Sequence, residues 1–326
     1  MLRVVAVACL FLLLLPACGR ERPSAAPPTT TEEDPLGGFE EEALSGRIRI
    51  DGSSTVAPLL TFAAERFRRD EPGVKVSVGV SGTGGGFERF CRGETDLSNA
   101  SRRIEQEEEA TCKKNGIRWL ELPVANDGLS LVVNPGNTWA RCVTVEQLKR
   151  IWEPGSKVDD WHDLDPSFPD VGMNLYGPGT DSGTFDYFTD AIVGEEGKSR
   201  SDYSASEDDN VIVRGVSNEK GALGYLGLSY LLENEGRLKA LELDAGDGCE
   251  APAVETVQDG RYKPLSRPLF TYVNRDALAD KTAVDPFLTF LLENEPQLAR
   301  GAKFVPMTVD QLDQAKTALE AAGNAG

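Results

Sequence analysis

Three times in this chain a short β-like run ends in a loop of small and hydroxylated residues, and an amphipathic stretch follows. Arg47-Ile48-Arg49-Ile50 leads into Asp51-Gly52-Ser53-Ser54-Thr55, and Val74-Lys75-Val76-Ser77-Val78 leads into Ser81-Gly82-Thr83-Gly84-Gly85-Gly86. Met173-Asn174-Leu175-Tyr176 leads into Gly179-Thr180-Asp181-Ser182-Gly183-Thr184. Repeated strand–loop–helix units constrain the body to an α/β fold, with the loops gathered beyond the carboxyl ends of the strands. A helix starting at such a loop aims free backbone N–H groups and a partial positive charge at whatever lies there. Small residues let an oxyanion approach the backbone, and hydroxyls add donors. A Ser or Thr before a helix is also the ordinary N-cap, so one loop says little. Three in one chain point to a shared oxyanion site.

Periodicity orders the rest. It predicts strands at 47–51, 74–80, 95–100, 117–125 and 129–133, with helices at 56–69, 84–93 and 105–115. Val56, Leu59, Leu60, Ala63, Ala64 and Phe67 share one helical face, and Pro72-Gly73 stops that helix. Asn134-Pro135-Gly136-Asn137 is a strong break. Beyond it come a strand at 171–176, helices at 182–193 and 209–218, a strand at 223–226, a buried strand at 268–273, and helices at 284–294 and 308–322. The simplest architecture has one lobe from 46–134 plus 267–326 and another from 135–266. Two crossings then make a hinge, and the loops meet across the cleft.

The ends carry separate instructions. Arg3 followed by the apolar stretch Val4–Leu15 reads as a signal peptide over 1–17, shorter than the ~20 residues a permanent membrane helix needs. Leu15-Pro16-Ala17-Cys18-Gly19 resembles a bacterial lipobox, which would make Cys18 a lipidated N-terminus on the outer face of the membrane. Residues 18–45, rich in Pro, Ser, Thr and Glu, read as a solvated tether. Cys91, Cys112, Cys142 and Cys249 remain, enough for two disulfides in an exported chain. Three pairings exist; Cys91–Cys112, closing a short loop, and Cys142–Cys249, closing a long one, are favoured. With His162 as the single histidine and no Cys/His ligand spacing, no metal or other cofactor is expected. A net charge of −19 argues against nucleic acid. It does not exclude an anionic ligand, because local dipoles hold a buried oxyanion and net charge chiefly slows its arrival.

The ordered set Asp51-Gly52-Ser53-Ser54-Thr55, Val80–Phe87, Asp96-Leu97-Ser98-Asn99-Ala100-Ser101-Arg102, Gly177–Phe185 and Gly221-Ala222-Leu223-Gly224-Tyr225 resembles the phosphate-binding protein of the bacterial high-affinity phosphate ABC transporter. The resemblance runs over most of 47–310. It implies a two-lobed, type II periplasmic-binding-protein fold that closes on inorganic phosphate and delivers it to the permease subunits of the transporter. By position it implies ligand contacts from Ser53, Ser54 and Thr55, from Thr83, and from Ser182, Gly183 and Thr184 across the cleft. Well-known members have an Asp in the cleft where this chain has Ser101, and an Arg before the third loop where it has Pro178. The resemblance to members reading Ala-Ser-Arg gives the cationic fork to Arg102, with a hydroxyl from Ser101; Asp181 or Ser101 would then accept the ligand's proton. Glu105–Glu109 reads as an exposed acidic helix face.

A binding module is therefore the leading function class. A phosphate-ester hydrolase would need a nucleophile with a base, and Ser182 has no histidine partner in sight. A phosphate sensor, or the same fold tuned to sulfate or molybdate, would share these loops.

Overall fold

The computed structural model describes residues 43–180, 182–206 and 208–324. The predicted signal peptide, Cys18, most of the tether and Asp181 lie outside the described residues.

The first loop leaves β1 (Ser45–Gly52), which runs parallel to β2 (Gly73–Val78) on one side and β3 (Leu97–Ala100) on the other. The remaining strands are β4 (Trp119–Val133), β5 (Cys142–Thr144), β6 (Leu175–Pro178), β7 (Ser204–Ser206), β8 (Leu223–Gly227), β9 (Lys239–Asp244), β10 (Cys249–Glu250) and β11 (Ser266–Asn274). The sheet order is β2-β1-β3-β11-β4-β8-β6-β7, and β9 pairs with β4, β5 and β10. The long strand β4 joins the two halves. Trp119–Gly128 pairs with β11, and Leu129–Val133 pairs with β8.

Here the structure departs from the sequence pattern. Asn126-Asp127-Gly128 looks like a turn between two strands, yet it is paired with Pro268, Arg267 and Ser266 of β11, so one strand runs through. Tertiary pairing overrides the local turn preference of these residues.

Two hydrophobic cores flank this junction. One gathers Ile48, Leu59, Leu60, Phe67, Phe287 and Leu291 around β1 and its helices. The other gathers Trp152, Trp161, Phe188, Ile212, Tyr225 and Leu241 around β8 and β9. The first draws on residues between Ile48 and Ala125 and again from Leu269, the second on Leu129 through Leu265 and on Val305. Val305, paired with Asn126 of β4, packs in the second core while Met307 packs in the first, and Gln258 Nε2 donates to the Pro306 carbonyl between them at 2.8 Å. A small third cluster of Phe87, Phe90 and Tyr272 surrounds the Cys91–Cys112 disulfide, and Cys142 is bonded to Cys249. Among the described residues no helix is long and apolar enough to cross a membrane.

Candidate functional site

The helix starts at the first two loops settle a question that sequence leaves open. Helix α1 (Ala57–Asp70) begins after Val56 with no side-chain cap, so the hydroxyls of Ser53, Ser54 and Thr55 are free of capping duty. Helix α2 (Gly82–Cys91) follows Ser81, whose Oγ does not cap but donates to Asp51 Oδ1 at 2.8 Å. Asp51 is buried and also pairs with Arg89 of α2, so it locks the first loop to the second. Gly86 lets the two approach: a Cβ there would stand 2.5 Å from the Gly52 Cα. The third loop differs. Ser182 Oγ accepts from the Thr184 N–H at 3.2 Å and is the N-cap of helix Gly183–Phe188.

Between the loops lies a cavity of about 470 Å³. One wall comes from the first lobe: Ser53, Ser54, Thr55, Gly82, Thr83, Ser101 and Arg102. Ser53 is 2% exposed and lines the cavity. Thr83 Oγ1 and Ser101 Oγ are hydrogen-bonded to each other at 3.0 Å, which leaves lone pairs and one proton for a ligand. A larger concavity of about 630 Å³ lies among helices near the C-terminus, lined by Leu278, Leu292 and Leu319 with Asp285, Glu293 and Lys316. It gathers neither loops nor a hydroxyl cluster, so the cleft is the candidate site.

The back of the cleft holds Arg267, which sequence reasoning misses. Strand register puts Arg267 of β11 opposite Asp127 of β4. The two form an ion pair, Nε to Oδ2 at 3.5 Å, without hydrogen-bond alignment. Nη2 donates to Thr55 Oγ1 at 3.0 Å, and the guanidinium lies 3.5 Å over the Tyr187 ring. The guanidinium thus touches both crossing strands, the first loop and the second lobe. Burial pushes the Asp127 carboxyl up, while Arg267 pulls it down. The only hint in the sequence is a lone Arg at the mouth of the apolar run Leu269–Val273.

The opposite wall is acidic. Asp186 and Tyr187 of helix Gly183–Phe188, with Asp190 and Glu196 beyond it, face the hydroxyls. Ser54 Oγ donates to Asp186 Oδ2 at 3.3 Å, and Thr55 Oγ1 donates to the Gly183 carbonyl at 3.2 Å, so the lobes touch across the cleft. Gly183 has to be glycine for this: a Cβ would sit 2.7 Å from the Thr55 backbone nitrogen. Desolvation raises the pKa of Asp186 from its ordinary value, against the lowering by Ser54 and Arg267, and the same cause raises that of Glu196.

Of the sequence candidates, Ser53, Ser54, Thr55, Thr83, Ser101 and Arg102 are brought together on the cavity wall. Arg102 is gripped by Glu108, Nη1 to Oε2 at 2.9 Å and Nη2 to Oε1 at 2.8 Å. Its fork is therefore occupied from behind. Ser182, Gly183 and Thr184 do not line the cavity; Asp186 and Tyr187 reach it from the same helix. Asp181 falls outside the described residues. For metals, the described residues offer Cys142, Glu242 and Cys249 within 4.8 Å of one another, but the two sulfurs are bonded to each other.

Comparison with known proteins places this geometry. The family model of the PBP superfamily domain matches residues 27–295. Protein SphX of Synechococcus elongatus is 46% identical over 82% of this chain and 80% of its own length. The phosphate-binding protein PstS of Staphylococcus saprophyticus is 37% identical over 84% of this chain and 85% of its own. The chain belongs to the PstS family of phosphate-binding proteins. A crystal structure from Planctomyces limnophilus, titled as that of "a possible phosphate binding protein", superposes with a TM-score of 0.82 at 43% identity, covering 86% of this chain and 99% of that one. Its likeness gives this PstS-family member the type II fold.

Proposed function

We propose that this protein captures inorganic phosphate outside the cytoplasm and delivers it to the permease of an ABC transporter. The observation that carries the reading is a cleft whose hydroxyls are not spent on capping, backed by a guanidinium held in place by a buried carboxylate. Ser53 and one hydroxyl of the Thr83–Ser101 pair donate to the phosphate oxygens, while Thr55 holds Arg267 and the Gly183 carbonyl in place. Arg267 supplies the fork, whose planar geometry suits two oxyanion oxygens, and Arg102 stands at the rim. Asp186 takes the part of the cleft Asp that Ser101 replaces, accepting from the proton phosphate carries. Sulfate brings no such proton and meets a half-buried carboxylate instead, a mismatch of ~1–3 kcal/mol for each unpaired group.

Binding closes the lobes over the ligand, and the closed form is what the permease meets. Attachment at Cys18 with 18–45 as a tether would keep the protein near that permease. Equilibrium dialysis of the full chain with radiolabelled phosphate at pH 7, with and without excess sulfate, tests the reading. Saturable one-to-one binding that sulfate does not displace is expected; no saturable binding overturns it. An aryl phosphate incubated with the protein should stay intact, since the described lining of the cleft holds no histidine to activate a hydroxyl.

A further inference from the structure

For an anion site the cleft carries the wrong net charge. Two cations, Arg102 and Arg267, line it against four carboxylates, Glu105, Asp186, Asp190 and Glu196. Both cations are already matched from behind, Arg102 by Glu108 and Arg267 by Asp127. A fully ionised phosphate closing against Asp186 would put like charges in contact inside a partly desolvated space, at high cost. The ligand side is nonetheless well furnished. Ser53 is buried on the lining, and Ser266, also on the lining, has a buried Oγ without a partner among the described residues.

Resting on the phosphate reading above, we propose that binding is proton-linked: the cleft holds the anion as dihydrogen phosphate, one O–H donating to Asp186 and the other to Glu196. The balance is simple. Above neutrality free phosphate is mainly the monohydrogen dianion, so each binding event draws one proton from solvent, and no bond other than that O–H is made. The groups facing the two acceptors fit this. Asp186 has Ser54 at 3.3 Å, with Arg267, Glu196 and the buried Tyr225 near it. Glu196 has Asp186 and Asp190 beside it on its own lobe, and Arg267 and Arg102 across the cleft. Like charges beside each acceptor, and the half-burial of Asp186, favour a proton between wall and ligand.

Titration calorimetry of the full chain with sodium phosphate tests this at pH 6, 7 and 8, in buffers of different ionisation enthalpy. Uptake close to one proton per phosphate at pH 8, and an affinity falling about fivefold from pH 7 to pH 8, are expected. Phosphate binding with no proton uptake and a flat pH profile overturns the inference and leaves the phosphate reading standing. Silence at all three pH values overturns both. Glu196→Gln, on the exposed rim, separates the acidic wall from the ligand's own titration. Its amide can donate to the dianion, so uptake should drop and affinity at pH 8 should rise at least threefold. A variant with the wild-type uptake and slope removes Glu196 from the mechanism.

Discussion

The two walls of the cleft are made of opposite chemistry. The first-lobe wall is neutral hydroxyl donors at loops that precede α1 and α2, with Arg267 behind them. The second-lobe wall is carboxylates, Asp186 and Asp190 on one helix and its continuation and Glu196 in the turn that follows. Donors alone would hold any tetrahedral oxyanion, and acceptors alone would hold none. Together they ask for an anion that still carries protons. The loops differ in the same way: hydroxyls of the first wall cap no helix, while Ser182 on the second is used up as a helix cap.

Removing the cation should unbalance the two walls most severely. Arg267→Ala is expected to weaken phosphate binding about 100-fold, or ~2.7 kcal/mol, in calorimetry at pH 7. A loss under threefold would return the cationic role to Arg102. Changing the acceptor comes next. Asp186→Asn should lower the ratio of phosphate to sulfate affinity at least tenfold, because the amide can donate to an ion that has no proton to give; an unchanged ratio would show that selectivity lies elsewhere.

Two smaller changes set ligand contact against capping. Thr83→Val should weaken phosphate binding about fivefold, ~1 kcal/mol, beyond the few degrees of melting temperature that the lost bonds to the Ser101 hydroxyl and N–H cost. Ser182→Ala should lower stability alone. Loss of the cap costs ~1 kcal/mol, a drop of ~2–4 °C in melting temperature, with affinity kept within about twofold. Exchanged outcomes for this pair would mean that the third loop, not the second, meets the ligand.

Local features were legible in the sequence, and features made by register were not. The loops, the face of α1 and helix 209–218 show themselves through periodicity and small residues, because neighbours in sequence build them. Six of the ten ligand candidates line the cavity for that reason. Arg267 and Asp127 become a pair only when β11 lies on β4, and nothing near either residue announces it. Asp186 reads in sequence as an acidic residue in the first turn of a helix, which the helix dipole favours anyway. The capture of Arg102 by Glu108 needs a chain reversal ahead of helix α3 (Gln106–Lys114), where the capping box of Glu105 and Glu108 forms. Asn126-Asp127-Gly128 carries turn residues, and pairing with β11 makes strand of them.

The most direct test is a crystal structure of the protein grown with phosphate. The account predicts one oxyanion between the walls, within hydrogen-bond reach of Arg267, Ser53 and Thr83 on one side and of Asp186 on the other. A phosphate held at the rim by Arg102 alone, or one with no contact to Asp186, would contradict it.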